Sequence, residues 1–177
     1  MPDNIAEHFR SFADQHNYYR RLRGAETHWF FVEAEKALRH ELYIAAVLSF
    51  INGIEASIRT NVLYHHGKFD EESMSKVDIM KNPLLRQAQA IGLKVEMLAF
   101  PGEVDFEEKL KGKVSVELIR VRNNLCHGNV FEYFQKVPDT NETIFTSEFL
   151  QSLALILKDI SEKWTKEIER FKELQGR

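Results

Sequence analysis

Residues Tyr43 to His65 read YIAAVLSFINGIEASIRTNVLYH, and the fold class turns on how this stretch is read. Tyr43, Val47, Phe50, Ile54, Ile58 and Asn61 follow one another at intervals of three and four, the period of a helix with one buried face. Leu48 and Ile51 widen that stripe, so the segment predicts a long central core helix. Glu55 stands about 100° from Ile54 around such a helix, on the edge of the apolar face. A carboxylate fully buried there without a partner would cost several kcal/mol. Two partnerships are open to it: an exposed salt bridge with Arg59 one turn on, or a pair with a distant cation, Arg122 foremost, which it would then orient.

Working outward toward the N-terminus, a turn near His40 and Glu41 joins the core helix to a helix predicted over 25–39, with Trp29, Val32, Lys36 and Ala37 roughly in line and Phe30 and Phe31 beside them. His28 is read as structural or exposed. Met1 to Gly24 predicts another helix, with Ile5, Phe9, Phe12 and His16 on one side and Gly24 as its stop. It ends in Tyr18-Tyr19-Arg20-Arg21-Leu22-Arg23. Those cations suit the negative end of a helix dipole; equally, Arg20, Arg21 and Arg23 beside stacking tyrosines suit an RNA-contacting patch.

Toward the C-terminus the pattern weakens between Gly67 and Gly112, which reads as an insertion over the bundle. One short helix stands out, opened by Asn82 as cap with Pro83 in its first turn and closed by Gly92. Phe100-Pro101-Gly102 is a turn, and the acidic run Glu103 to Glu108 reads as a solvated loop or a single helical turn. Val130 to Ile144, around Val137-Pro138-Asp139-Thr140-Asn141, reads as an extended excursion with a turn. Thr146 or Ser147 then caps a last helix to about Leu174, apolar at Leu153, Leu157, Ile160, Trp164, Ile168 and Phe171.

Chemistry concentrates in Arg120-Val121-Arg122-Asn123-Asn124-Leu125-Cys126-His127-Gly128. A helix predicted from Val114, capped by Ser115 and ended by Gly128, places Val114, Leu118, Val121 and Leu125 in one stripe toward the core. Val116, Ile119, Asn123 and Cys126 then fall on roughly the opposite side, and a small domain rarely covers both faces of a helix. The expectation is a two-fold interface through that second face, with Cys126 as a small interface hydrophobe and with Arg122 and His127 doubled at the seam. Their chemistry fits RNA cleavage by the RNA's own 2′-hydroxyl. That reaction needs a base, an acid and positive charge on the phosphorane, and needs no metal. Histidine, with an unperturbed pKa of about 6.5, serves as base or acid near neutral pH, and arginine offers a fixed cationic fork for phosphate oxygens. One His per chain is half of an acid-base pair, and a dimer supplies the other half. Asn123 would hold a phosphate oxygen or the imidazole across the dimer.

The run Arg122-Asn123-Asn124-Leu125-Cys126-His127, late in an apolar helix and followed by Gly, resembles the R-x(4–6)-H motif of the HEPN family. Glu33-Ala34-Glu35-Lys36-Ala37-Leu38, then Tyr43-Ile44-Ala45-Ala46-Val47 and Glu55, resembles that family's first helical hairpin, where an A-x-x-A-L segment precedes a tight turn. The likeness covers roughly 26–60 and 115–128. It implies an all-α HEPN-like bundle of about five helices and a metal-independent endoribonuclease acting on RNA as a homodimer, often a toxin or antiviral effector. Such a protein has room for a cognate antitoxin or regulatory protein as a further partner. The family also holds members that only bind RNA or scaffold other proteins, which is the alternative reading.

Composition sets the outer limits. A chain of 177 residues with 44% hydrophobic content predicts one domain over 1–177. A formal net charge of −3 gives no global attraction to RNA, so phosphate binding would rest on a local group of cations. One cysteine allows no internal disulfide, and there is no apolar run of membrane-spanning length and no apolar leader, so the expectation is a soluble, cytoplasmic protein without a membrane partner. His65-His66 is not at metal-ligand spacing, and no metal or other cofactor is expected. Phosphate-binding Gly-rich loops and serine-nucleophile motifs are absent too.

Overall fold

In the computed structural model, which describes residues 2–24, 27–67, 70–77 and 79–176, the long apolar stretch is a helix on which most of the others converge. Among these residues the fold is all-α apart from one minimal hairpin. Its helices are α1 (Pro2–Leu22), α2 (His28–Arg39), α3 (Tyr43–His65), α4 (Glu71–Lys76), α5 (Asn82–Ala90), α6 (Phe106–Lys111), α7 (Glu117–Cys126) and α8 (Gln151–Leu174). Short 3-10 turns stand at Val95–Leu98, Phe131–Tyr133 and Ser147–Leu150. The helix expected over 25–39 starts at His28 among the described residues, its first two positions lying outside them.

α3 is buried on nearly every side, with Val47, Phe50, Ile51, Ile54 and Ile58 fully enclosed. α2 and α8 pack along it, α5 and α7 rest on its other flanks, and α1 lies against α2 and α8. The α2–α3 crossing is close because position 53 is glycine: a Cβ there would stand 2.9 Å from the Phe31 ring. Phe31, not Trp29 or Phe30, is the aromatic that α2 sends into the core. Between the two helices Glu41 takes a left-handed φ of 59°, and the amides of Glu41 and Leu42 close back on the carbonyls of Leu38 and Ala37. That is the glycine-type helix ending made with a glutamate.

Three polar ties fix α8 and α1 to the hairpin. Trp164 Nε1 donates to Ser57 Oγ at 2.8 Å. The buried Glu35 accepts from Tyr18 Oη at 3.1 Å and from Lys158 Nζ at 2.8 Å, so its charge is answered inside the bundle. Burial, then the nearby Glu35 carboxylate, push the Tyr18 hydroxyl above the ordinary tyrosine range. His28 is structural, its Nδ1 lying 3.1 Å from the Gly24 carbonyl oxygen.

The region 67–112 holds more order than its sequence pattern predicts. Asp70 caps α4, accepting from the Ser73 amide at 2.7 Å. The residue capping α5 is Lys81 rather than Asn82, and Asn82, the first residue of the helix, donates to the carbonyls of Lys109 and Val114, both at 2.8 Å, tying α6 to the segment before α7. Residues 130–144 do pair: Gln135 faces Ile144 and Lys136 faces Thr143 in an antiparallel ladder. Ser147–Leu150 form a 3-10 turn, so α8 begins at Gln151, later than a cap at Thr146 or Ser147 implies. Among the described residues no helix is long and apolar enough to cross a membrane.

Candidate functional site

α7 starts at Glu117, three residues later than its apolar pattern suggests, because its start is set by a group distant in sequence. Ser115 does not cap it. Glu103 Oε1 accepts from the Glu117 amide at 2.7 Å, and the same carboxylate pairs with Lys109 Nζ at 3.4 Å. Glu103 is thus a buried cap rather than part of a solvated acidic run, and its charge sits where the helix dipole favours it.

This shift re-aims the helix. Val116, now the residue before α7, and Ile119 are fully buried in the protomer's own core beside Leu118 and Val121, while Val114 is exposed. Val116 and Ile119 therefore cannot line an interface between copies, which corrects the expectation drawn from a helix running from Val114. What α7 leaves open is its last turn, where Cys126 and His127 are exposed and Asn123 is partly covered.

That end is built by hydrogen bonds the sequence does encode. Gly128 takes a φ of 71°, its amide reaches the Leu125 carbonyl at 3.2 Å, and the Asn129 amide reaches that of Asn124 at 2.8 Å. The paired closing bonds need a residue of positive φ after the helix, and glycine takes it without strain. His127 is thereby held as the cap residue, with its imidazole in solvent.

Arg122 sits one turn earlier and points inward. Its Nη2 lies 3.5 Å from Glu55 Oε2, the two side chains being 15% and 10% exposed. Glu55 Oε1 also accepts from the Met80 amide at 3.1 Å, and Arg122 Nη1 donates to Asn123 Oδ1 at 3.2 Å. Arg122 Nε is buried without a partner, so the guanidinium keeps a donor unused. Of the two partnerships open to Glu55, the one across the bundle is the one made. Arg59 turns instead to the carbonyls of Met74 at 2.7 Å and Val77 at 3.4 Å. Arg122 and His127 lie about 140° apart around the helix, whereas Asn123 and His127 share a side.

A second network on the outer side of α7 has no signal in the helical period. Arg120 donates to Glu117 at 2.8 Å and 2.6 Å and to Glu132 at 2.5 Å, while Asn124 reaches Glu132 at 3.1 Å and Asn129 reaches Asn124 at 3.2 Å. Burial alone would raise the Glu132 pKa, but hydrogen bonds from Arg120, Asn124 and Tyr133 outweigh it and hold the carboxyl below its ordinary value. This clamp fixes the 3-10 turn at Phe131–Tyr133 against α7 and so frames the loop that carries His127. The only cue in sequence is a Glu one short loop after a basic helix.

The N-terminal cations lie elsewhere and are partly engaged. Arg20 pairs with Glu169 at 2.8 Å and Arg21 donates to Thr165 at 3.4 Å, both across to α8. Arg23, at a left-handed φ of 44°, is exposed. Arg20 and Arg21 thus fasten α1 to α8. Among the described residues, no three His, Cys, Asp or Glu side chains gather as metal ligands would. No protein-family model, no curated protein and no solved structure matches the chain.

Proposed function

We propose that the chain is a metal-independent endoribonuclease of the HEPN type, whose chemistry is carried by the end of α7. One observation supports it above the others: a glycine-closed helix end presents the His127 imidazole to solvent, one turn beyond a guanidinium held in place by a buried carboxylate. In the reaction His127 takes the proton of a ribose 2′-hydroxyl, and that oxygen attacks the adjacent phosphorus. The bond from phosphorus to the 5′-oxygen breaks, and the leaving oxygen takes a proton from the imidazolium of a second His127, supplied by a two-fold copy. Products are a 2′,3′-cyclic phosphate and a free 5′-hydroxyl. Arg122 adds positive charge near the phosphorane through its guanidinium, and Asn123, on the same side as His127, holds a phosphate oxygen. Glu55 acts only through Arg122, as a positioning residue. In this reading the seam between copies runs along the exposed last turn, Asn123, Cys126 and His127. A toxin or antiviral role, with an antitoxin or regulator as partner, belongs to the same proposal.

The alternative is a HEPN-like RNA-binding or protein-interaction module, and one observation favours it. Arg122 is mostly enclosed and already bonded to Glu55 and Asn123, as a strut between α3 and α7 would be. The two readings part in one assay: purified protein with EDTA on total RNA and on transfer RNA, with product ends analysed. Cleavage with cyclic phosphate termini supports the nuclease. RNA retained but uncut gives the module.

A further inference from the structure

α1 leaves uncovered a face that a bundle helix normally buries. Ile5, Phe9 and Phe12 are 64%, 71% and 66% exposed, and Tyr19, two turns on, is 54% exposed. With His16 between them, these side chains recur at four, three, four and three, the alternation of a helix that packs along another helix. The Phe12 and His16 rings stack with centroids 6.5 Å apart, which organises the middle of the stripe. The opposite side is already used: Tyr18 and Leu22 are buried, and Asp14 pairs with Arg39 of α2 at 2.5 Å. At about 150–250 Å² for a bare aromatic side chain, the stripe offers about 500 Å² of apolar surface per copy. Two copies then cover on the order of 1,000 Å², the lower bound for a specific interface between well-matched surfaces.

We infer that α1 is a self-association helix that pairs antiparallel with α1 of a second copy. The seam is self-complementary about Phe12: reversing the helix sets Phe12 against its own copy and Ile5 against Tyr19. A parallel pair would bring Arg20, Arg21 and Arg23 against the same three cations and align the helix dipoles, so the antiparallel arrangement is the one the charges favour. The inference does not rest on nuclease activity. α1 lies against α2 and α8 and α7 lies against α3, so pairing through α1 is a contact separate from pairing of the α7 ends.

The test is cysteine cross-linking on a Cys126→Ser background, beside light scattering. Phe12→Cys alone should oxidise to a disulfide-linked pair. Ile5→Cys alone should not, yet should cross-link when mixed with Tyr19→Cys. Phe9→Glu with Phe12→Glu should halve the particle mass while helical circular dichroism is unchanged. An unaltered mass in that double variant, a monomeric wild type, or efficient self-linking of Ile5→Cys without Phe12→Cys would each overturn the antiparallel α1 pair. A monomeric wild type would also count against the shared α7 site, whereas the double-variant mass and the cross-linking pattern read the α1 pair alone.

Discussion

Arg122 carries two duties that pull in different directions. As half of a nearly enclosed ion pair it holds α7 to α3, and as a cation near His127 it is proposed to meet phosphate. Removing it strands the Glu55 carboxylate, so Arg122→Ala should lose about 3 kcal/mol of unfolding free energy, the usual cost of breaking a buried pair from one side. Arg122→Gln with Glu55→Gln should recover most of that, since no buried charge remains unanswered. Denaturant unfolding of Arg122→Gln, Glu55→Gln and the double variant reads it out, and additive losses would show that the pair is not coupled. Any loss of activity in Arg122→Ala therefore needs this stability control beside it. Glu55 was legible as a residue in need of a partner because it sits at the edge of a long apolar stripe. Its choice of Arg122 over Arg59 was open in sequence, because Arg59 finds carbonyls that only the folded connection after α3 supplies.

Among the elements, α7 shows most plainly where local pattern stops. The apolar period continues back to Val114, but Glu103 reaches in from another loop and starts the helix at Glu117, and two residues assigned to an outer face became core. The clamp on the other side of α7 should be sensitive to acid. The Glu132 pKa is lowered in the folded protein, so its contribution is present above the unfolded value and is lost as pH falls through the folded value, below the ordinary 4.5. Unfolding free energies of wild type and Glu132→Gln should differ at neutral pH and converge in that acidic window; a constant difference would contradict the clamp. At the hairpin, Gly53→Ala should cost about 1–3 kcal/mol despite alanine's better helix propensity, because the added methyl meets the Phe31 ring. Glu41→Gly should gain about 1 kcal/mol by relieving a left-handed φ. Thermal unfolding checks both signs.

At the scale of the molecule, the all-α class and the central place of α3 follow from periodicity alone, because long amphipathic helices with clear stops leave few other ways to bury their stripes. Which faces remain for partners does not follow, since it depends on how neighbouring helices cover one another. Val116 and Ile119 turned inward, while Ile5, Phe9 and Phe12 stayed in water. The proposed activity rests on groups at the end of α7 and is most directly tested by the rate at which one RNA substrate is cut, in the presence of EDTA, by wild type and by His127→Ala. His127 is exposed and supports no core packing, so the variant should fold as wild type does. The account predicts a rate lower by about 10²–10⁴-fold, the range for loss of a general acid or base. Equal rates for the two proteins would contradict it.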